Sequence, residues 1–345
     1  MILYWPNGDA SAHGNIIFNN GSDNQDHGIY VQGNVGGKYV RTNVIFNNLA
    51  YGVHSYSEGA IGQPALANIS IINNMAFNNG LISPNGAKSN IFIGSTVAGS
   101  TALLATSNVT LYSGTTGTNI TMGMQEATGS DMTVEYNKML GGSRGLRVYD
   151  FNSAVVRYDT IAGDNINPWD PDIPVDFRDP TSAGYQWYGN VYYHDPSRAA
   201  WLAYYQTDPD GKFIDLATFL SATAFNAQSP VDVATTSAYG THWWLKDINY
   251  VSNERFLAVY NPTGQANVTV GLGGGWMVAG DMYTLYNVQK DVFANPVATG
   301  IYNGTSISVP MTGVAPPVPA QASQRGLVTA PTTSPMFHVF LLQKS

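Results

Sequence analysis

Hydrophobic and polar positions in the first 195 residues fall into two short motifs that alternate along the chain. One is an asparagine, an apolar triplet and a small or polar pair. It reads Asn15-Ile16-Ile17-Phe18-Asn19-Asn20, Asn43-Val44-Ile45-Phe46-Asn47-Asn48 and Asn74-Met75-Ala76-Phe77-Asn78-Asn79, with weaker copies starting at Asn137, Asp159 and Asn190. The starts lie 28, 31, 63, 22 and 31 residues apart, and the 63 reads as two periods with a degraded copy at Ser113. The other motif alternates with period two, as a strand does. It places Ile29/Val31, Val53/Ser55, Ile91/Ile93, Ile120/Met122 and Leu146/Val148 on one face, and a last copy is Pro174 to Arg178.

Short strands recurring every 22 to 31 residues, with no helix between them, predict a solenoid of β-coils. Equivalent strands of successive coils would stack at ~4.8 Å. Asparagine suits the corners, because it tolerates left-handed backbone and its amide can stack in a ladder. The Asp26-His27-Gly28-Ile29-Tyr30 stretch and the NVIFNN corners resemble the right-handed parallel β-helix proteins of the pectate-lyase-like superfamily, over roughly residues 10 to 195. That resemblance implies an all-β, single-stranded right-handed solenoid. It implies no one activity, because such helices carry lyases, hydrolases, epimerases and phage spikes.

Past residue 195 the repeat stops. Phe213, Leu216, Phe219 and Leu220 have helical spacing and predict a short amphipathic helix. From about residue 236 the chain alternates again through Phe256–Tyr260, Val268–Val270, Met282–Tyr286, Ile307–Val309 and Phe337–Leu341, which predicts a small antiparallel β-sandwich. The run from LAVYNPTG through GDMYTLYN to ISVPM resembles the C-terminal sandwich of many glycoside hydrolases. The expected organisation is therefore 1–195 β-helix, 196–235 connector and 236–345 sandwich.

Composition agrees with an all-β chain: only 11% of residues are charged, and the deficit is filled by Gly, Asn, Ser and Thr. Fifteen basic against twenty-three acidic residues disfavour nucleic acid and a strongly anionic glycan. With no cysteine there is no disulfide, thiolate metal site or thiol nucleophile. No apolar run is long enough to span a bilayer. The opening MILYWPNGDA has no basic region or long apolar core, so it reads as the interior of a domain and upstream sequence is expected. A secreted, extracellular protein is expected nonetheless.

Outward positions of the period-two strands form two candidate clusters. The first holds Asp26, His27, Tyr30, His54, Tyr56 and Glu58, suited to sugar stacking or proton transfer. The second holds Glu126, Arg147, Tyr149, Asp150, Asp176 and Arg178. Here Asp150 and Asp176, with Glu126 in reserve, are candidate glycosidase carboxylates. Groups one coil apart would approach the retaining spacing and groups two coils apart the inverting one. Arg147 or Arg178 would lower one pKa and leave its neighbour the proton donor. Tyr30, Tyr56, Arg147, Tyr149 and Arg178 are candidate substrate contacts. Asp170 and Asp172, in a loop dense in aspartates, are candidate Ca²⁺ ligands, although no cofactor is required.

Three functions follow. The leading expectation is a glycoside hydrolase acting on a neutral or weakly charged polysaccharide or oligosaccharide along a groove. The others are a polysaccharide lyase of pectate-lyase-like kind, with His27, His54 or Tyr30 as base, and a non-catalytic glycan-binding or adhesion module. An unpaired coil at the N-terminal end allows an end-to-end homo-oligomer.

Overall fold

The two alternating motifs fold as strands of two different sheets, with a third strand between them that the hydrophobic pattern did not isolate. A computed structural model describes residues 2–4, 8–21, 25–57, 66–83, 86–96, 99–114, 116–124, 127–163, 173–178, 184–193, 202–204, 212–235, 237–290, 294–318 and 331–345. The chain divides into two compact units, 1–238 and 239–345.

In the first unit the chain visits three sheets in rotation, so each sheet contains every third strand. The period-two motif supplies the first sheet: Ile2–Tyr4, Ile29–Val31, Val53–Ser57, Ser89–Ser95, Thr118–Met122, Arg144–Val148, Ile173–Phe177 and Leu202–Tyr204, all parallel, then Lys212–Ile214, antiparallel. The second sheet runs from Ala10–His13 through Lys38–Arg41 to Tyr185–Tyr188, and the asparagine motif supplies the third, from Ile16–Phe18 to Val233–Thr235. Rotation through three parallel sheets is consistent with a parallel β-solenoid.

Stacking in register builds the core. Ile29, Val53, Ile91, Ile120, Leu146 and Val175 form one buried column of the first sheet. Val40, Ile71, Ala105, Val134, Val156 and Trp187 do the same from the second, and Ile17, Ile45, Ala76, Met139, Ile161 and Tyr192 from the third. One β-coil cannot bury its own apolar face, so each depends on its neighbours.

Asparagine ladders lock the corners. Between the second and third sheets, Asn15, Asn43, Asn74, Asn108, Asn137, Asp159 and Asn190 occupy one line. The Oδ1 of each accepts from the backbone N–H of the preceding member, at 2.7 to 3.0 Å. The line ends on Asp232, whose carboxylate accepts from Asn190 N, Trp187 Nε1 and Tyr192 Oη at 2.8, 2.8 and 2.6 Å. Asn20, Asn48, Asn79, Asn90 and Asn119 form a shorter second ladder. Residues just before the rungs, among them Thr42, Asn73, Ser107, Asn19, Asn47 and Asn78, sit at φ between 50° and 59° and turn the chain. The 63-residue gap in the sequence repeat is filled by Val109–Tyr112, with Asn108 as its rung.

Asp215 caps the helix Leu216–Ala222, accepting from Thr218 N at 2.8 Å. Its Phe219, with Phe225 just beyond, packs on Phe177 and Trp187 at the C-terminal end of the solenoid core. Val233–Thr235 then pairs with Val191–Tyr193. In the second unit, a five-stranded antiparallel sheet and the two-stranded ribbon of Asn267–Gly271 with Ser306–Pro310 share one core. Leu257, Val259, Leu285 and Phe340 meet Val268, Val270, Ile307 and Val309 there, consistent with a β-sandwich.

Candidate functional site

Alternation on the first sheet turns three lines of side chains away from the core. The central line, fixed by strand register, is Tyr30, His54, Phe92, Thr121, Arg147 and Asp176. Two residues later lie Gln32, Tyr56, Tyr149 and Arg178, and three residues earlier His27, Tyr51, Ser89, Thr118 and Arg144. One diagonal contact recurs: the earlier residue of one coil meets the central residue of the next. His27 Nε2 lies 2.8 Å from His54 Nδ1, Ser89 Oγ lies 2.8 Å from Thr121 Oγ1, and Arg144 Nε lies 2.9 Å from Asp176 Oδ2. Along the coil axis the face therefore changes from imidazole and aromatic, through small hydroxyls, to arginine.

At the first end, His54 stacks on Tyr51 at 4.4 Å and on Tyr56 at 5.0 Å, with Phe92 tilted against it at 5.2 Å. His27 stacks on Tyr30 at 5.7 Å. Burial, then the neighbouring charges of His27 and Lys88, hold His54 well below the ordinary imidazole value. It is neutral at pH 7, and the imidazole pair shares one hydrogen bond.

At the other end, three of the chain's eight arginines converge on a carboxylate with no solvent exposure. Arg147 Nε donates to Asp176 Oδ2 at 2.7 Å, and Arg178 Nε donates to Oδ1 at 2.9 Å. Burial alone would raise the Asp176 pKa, but Arg147, Arg178 and Arg144 together hold it below the usual range. The arginine side chains are 21 to 28% exposed. Among the described residues neither Nη of Arg147 has a protein partner. Tyr149 stands beside this group, with Arg178 5.4 Å over its ring, and Tyr51 feels both Arg147 and Tyr149.

No family model, curated protein or solved structure matches this chain. The reading of the site therefore rests on its geometry.

Several expectations change on that geometry. Asp176 is in register with Arg147, so Asp150 lies one coil and three residues away, roughly 11 Å between Cα atoms. Asp150 instead accepts the Thr128 hydroxyl at 2.8 Å, and Asp176, ion-paired three times, has no proton to give at neutral pH. Glu58, Glu126, Asp170 and Asp172 lie outside the described residues. Among the described residues no three His, Asp or Glu side chains gather as a metal site. Tyr51, Ser89 and Arg144 were missed because they precede the central outward residue by three positions, where period-two alternation gives no sign that the side chain returns to the same face; Lys88, one residue before Ser89, was missed with them.

Proposed function

We propose that this is a carbohydrate-active protein of the right-handed parallel β-helix kind that holds an extended acidic oligosaccharide along the outer face of its first sheet. One observation carries the reading: Arg147 is fixed through Nε to a fully buried Asp176, and among the described residues neither of its Nη groups has a protein partner. A guanidinium anchored in this way is a preorganised fork for a planar carboxylate. The chain is acidic as a whole, which argues against an anionic ligand only if charge is averaged over the surface; here the arginines are concentrated. Tyr30, Tyr51 and Tyr56 supply aromatic faces for neutral ring surfaces further along.

Titration calorimetry with a uronate oligosaccharide and its carboxyl-reduced form tests the reading. Wild type should prefer the acidic form at least tenfold, and Arg147→Gln should erase that preference while leaving neutral binding unchanged. Equal affinity of wild type for both forms would sink it.

A second reading, β-elimination from a uronate, is favoured by the buried neutral His54 beside Tyr30 and Tyr56, an imidazole in the form a base requires. Turnover should release unsaturated products absorbing in the near ultraviolet, lost in His54→Gln. Saturated products would point to hydrolysis, and binding without products to an adhesion module.

A further inference from the structure

The long asparagine ladder contains one rung that cannot do what the others do. In Asn43, Asn74, Asn108, Asn137 and Asn190, Nδ2 donates to a second-sheet carbonyl: Ala12, Val40, Ile71, Ala105 and Val156 respectively, at 2.8 to 3.3 Å. In Asn43, Asn74, Asn108 and Asn137 it also donates to the Oδ1 of the next rung. By register, the carbonyl facing Asp159 is that of Val134, and its next rung is Asn190. Asp159 Oδ1 accepts from Asn137 N at 2.7 Å and from Asn137 Nδ2 at 3.0 Å, as an asparagine would. Its Oδ2 is buried and has no hydrogen-bond partner. An ionised carboxylate there would set a bare lone pair against two more acceptors, out of reach of bulk solvent.

We propose that Asp159 is a proton-carrying rung: a neutral carboxylic acid whose Oδ2–H replaces the amide donor, so that the coils around it are tightest in acid and loosen as the pH rises through neutrality. The geometry is independent of any reading of the glycan site. It bears on that site only because the same coil leads into the strand Ile173–Phe177, which carries Asp176.

The surroundings agree. Burial raises the Asp159 carboxyl from 3.8 to about 7, against the opposing hydrogen bonds of Asn137 and the charge of Lys138. Lys138 is the cation facing it, from the third sheet, and its Nζ is engaged by Thr160 Oγ1 at 2.9 Å. The charge of Asp232 disfavours a second negative charge at Asp159, and the Tyr192 phenol, held protonated by burial and by both carboxyls, donates to Asp232. Glu135 and Arg157, at the ends of neighbouring second-sheet strands, pair with each other at 2.8 Å.

The sign follows from linkage. Between pH 4 and 7 the unfolded chain has lost this proton and the folded one has kept it. The stabilisation is therefore complete below 3.8, declines as the pH rises, and levels off above about 7. Urea unfolding of wild type and Asp159→Asn at pH 4, 5.5 and 7.5 tests the proposal. The asparagine variant should match wild type at pH 4 and exceed it increasingly above, with the ratio of unfolding constants growing about tenfold per unit until it levels near pH 7. Infrared spectra at pH 5 should show a protonated carboxyl band in wild type that the variant lacks. A stability gap independent of pH, a variant weaker than wild type at pH 7.5, or no difference in the carboxyl band would overturn the proposal. Failure of the variant to fold would do the same, because asparagine already serves at every other rung from Asn15 to Asn190.

Discussion

Replacing Asn74 by alanine removes the middle of the longer ladder. Asn74 Oδ1 accepts from Asn43 N and Nδ2 at 2.9 and 3.0 Å, and its Nδ2 donates to Val40 O, Ile72 O and Asn108 Oδ1. Some of these groups keep other partners. Ile72 O still accepts from Thr42 N, Asn108 Oδ1 from Asn74 N, and Asn43 Nδ2 still donates to Ala12 O. The Asn43 amide N–H is left without its acceptor in a fully buried corner, which costs about 1–3 kcal/mol. The lost amide bonds and the space left by the side chain add about 2 kcal/mol more. The expected loss is therefore about 3–5 kcal/mol. Asn15→Ala, at the half-exposed end, deprives Asn43 Oδ1 of one of its two donors and His13 O of the Asn15 amide, and should cost about 1 kcal/mol or less. Urea denaturation followed by circular dichroism measures both. Because each coil touches only its neighbours, hydrogen exchange in Asn74→Ala should quicken most around residues 43, 74 and 108. Equal losses at the two positions, or exchange spread evenly over the solenoid, would refute the ladder as the device that locks the corners.

Other outcomes follow from single contacts. In the second unit, His338 Nδ1 accepts from Asn287 Nδ2 while Nε2 donates to Met311 O, so the imidazole is neutral, and burial lowers it to about 4. Its contribution is present above pH 6.5 and is lost as the pH falls through about 4, at most ~3 kcal/mol; His338→Gln should flatten that slope in urea titrations. A Cβ on Gly52 would lie 2.5 Å from Asn90 O and 2.6 Å from Asn79 Nδ2, so Gly52→Ala should cost about 2–3 kcal/mol in urea midpoint, whereas Gly114→Ala, with nothing within 4 Å, should not. Residues 8–21 should exchange their amides before the coils of Val53 and Ile91, because among the described residues Ala10–His13 and Ile16–Phe18 each pair with a single strand. Uniform protection in a verified monomer would contradict this, and protection lost on dilution would indicate end-to-end pairing.

The asparagine corners and the period-two strands were legible because both are local: a left-handed turn residue beside a rung, and alternation over five positions. The second sheet was not, since its strands run straight into the asparagine motif and Lys38–Arg41 turns the charged Lys38 to the buried side. The Asn108 rung was hidden because Tyr112 and Ser113 replace the usual paired asparagines after its strand. Outward residues of the first sheet were legible as a face, as was an arginine beside one of its carboxylates, but the third arginine, Arg144, was not. Which coil a residue meets depends on loop lengths, and a few residues of register decided that Asp176 meets Arg147 and not Asp150.

A crystal soaked with an acidic oligosaccharide is the most direct measurement of the central claim. A sugar carboxylate within hydrogen-bonding distance of the Arg147 Nη atoms, with the chain extending toward Tyr51 and Tyr56, is the predicted result. A glycan bound on another face, or one on this face with a neutral ring at Arg147 and its carboxylates turned to solvent, would contradict it.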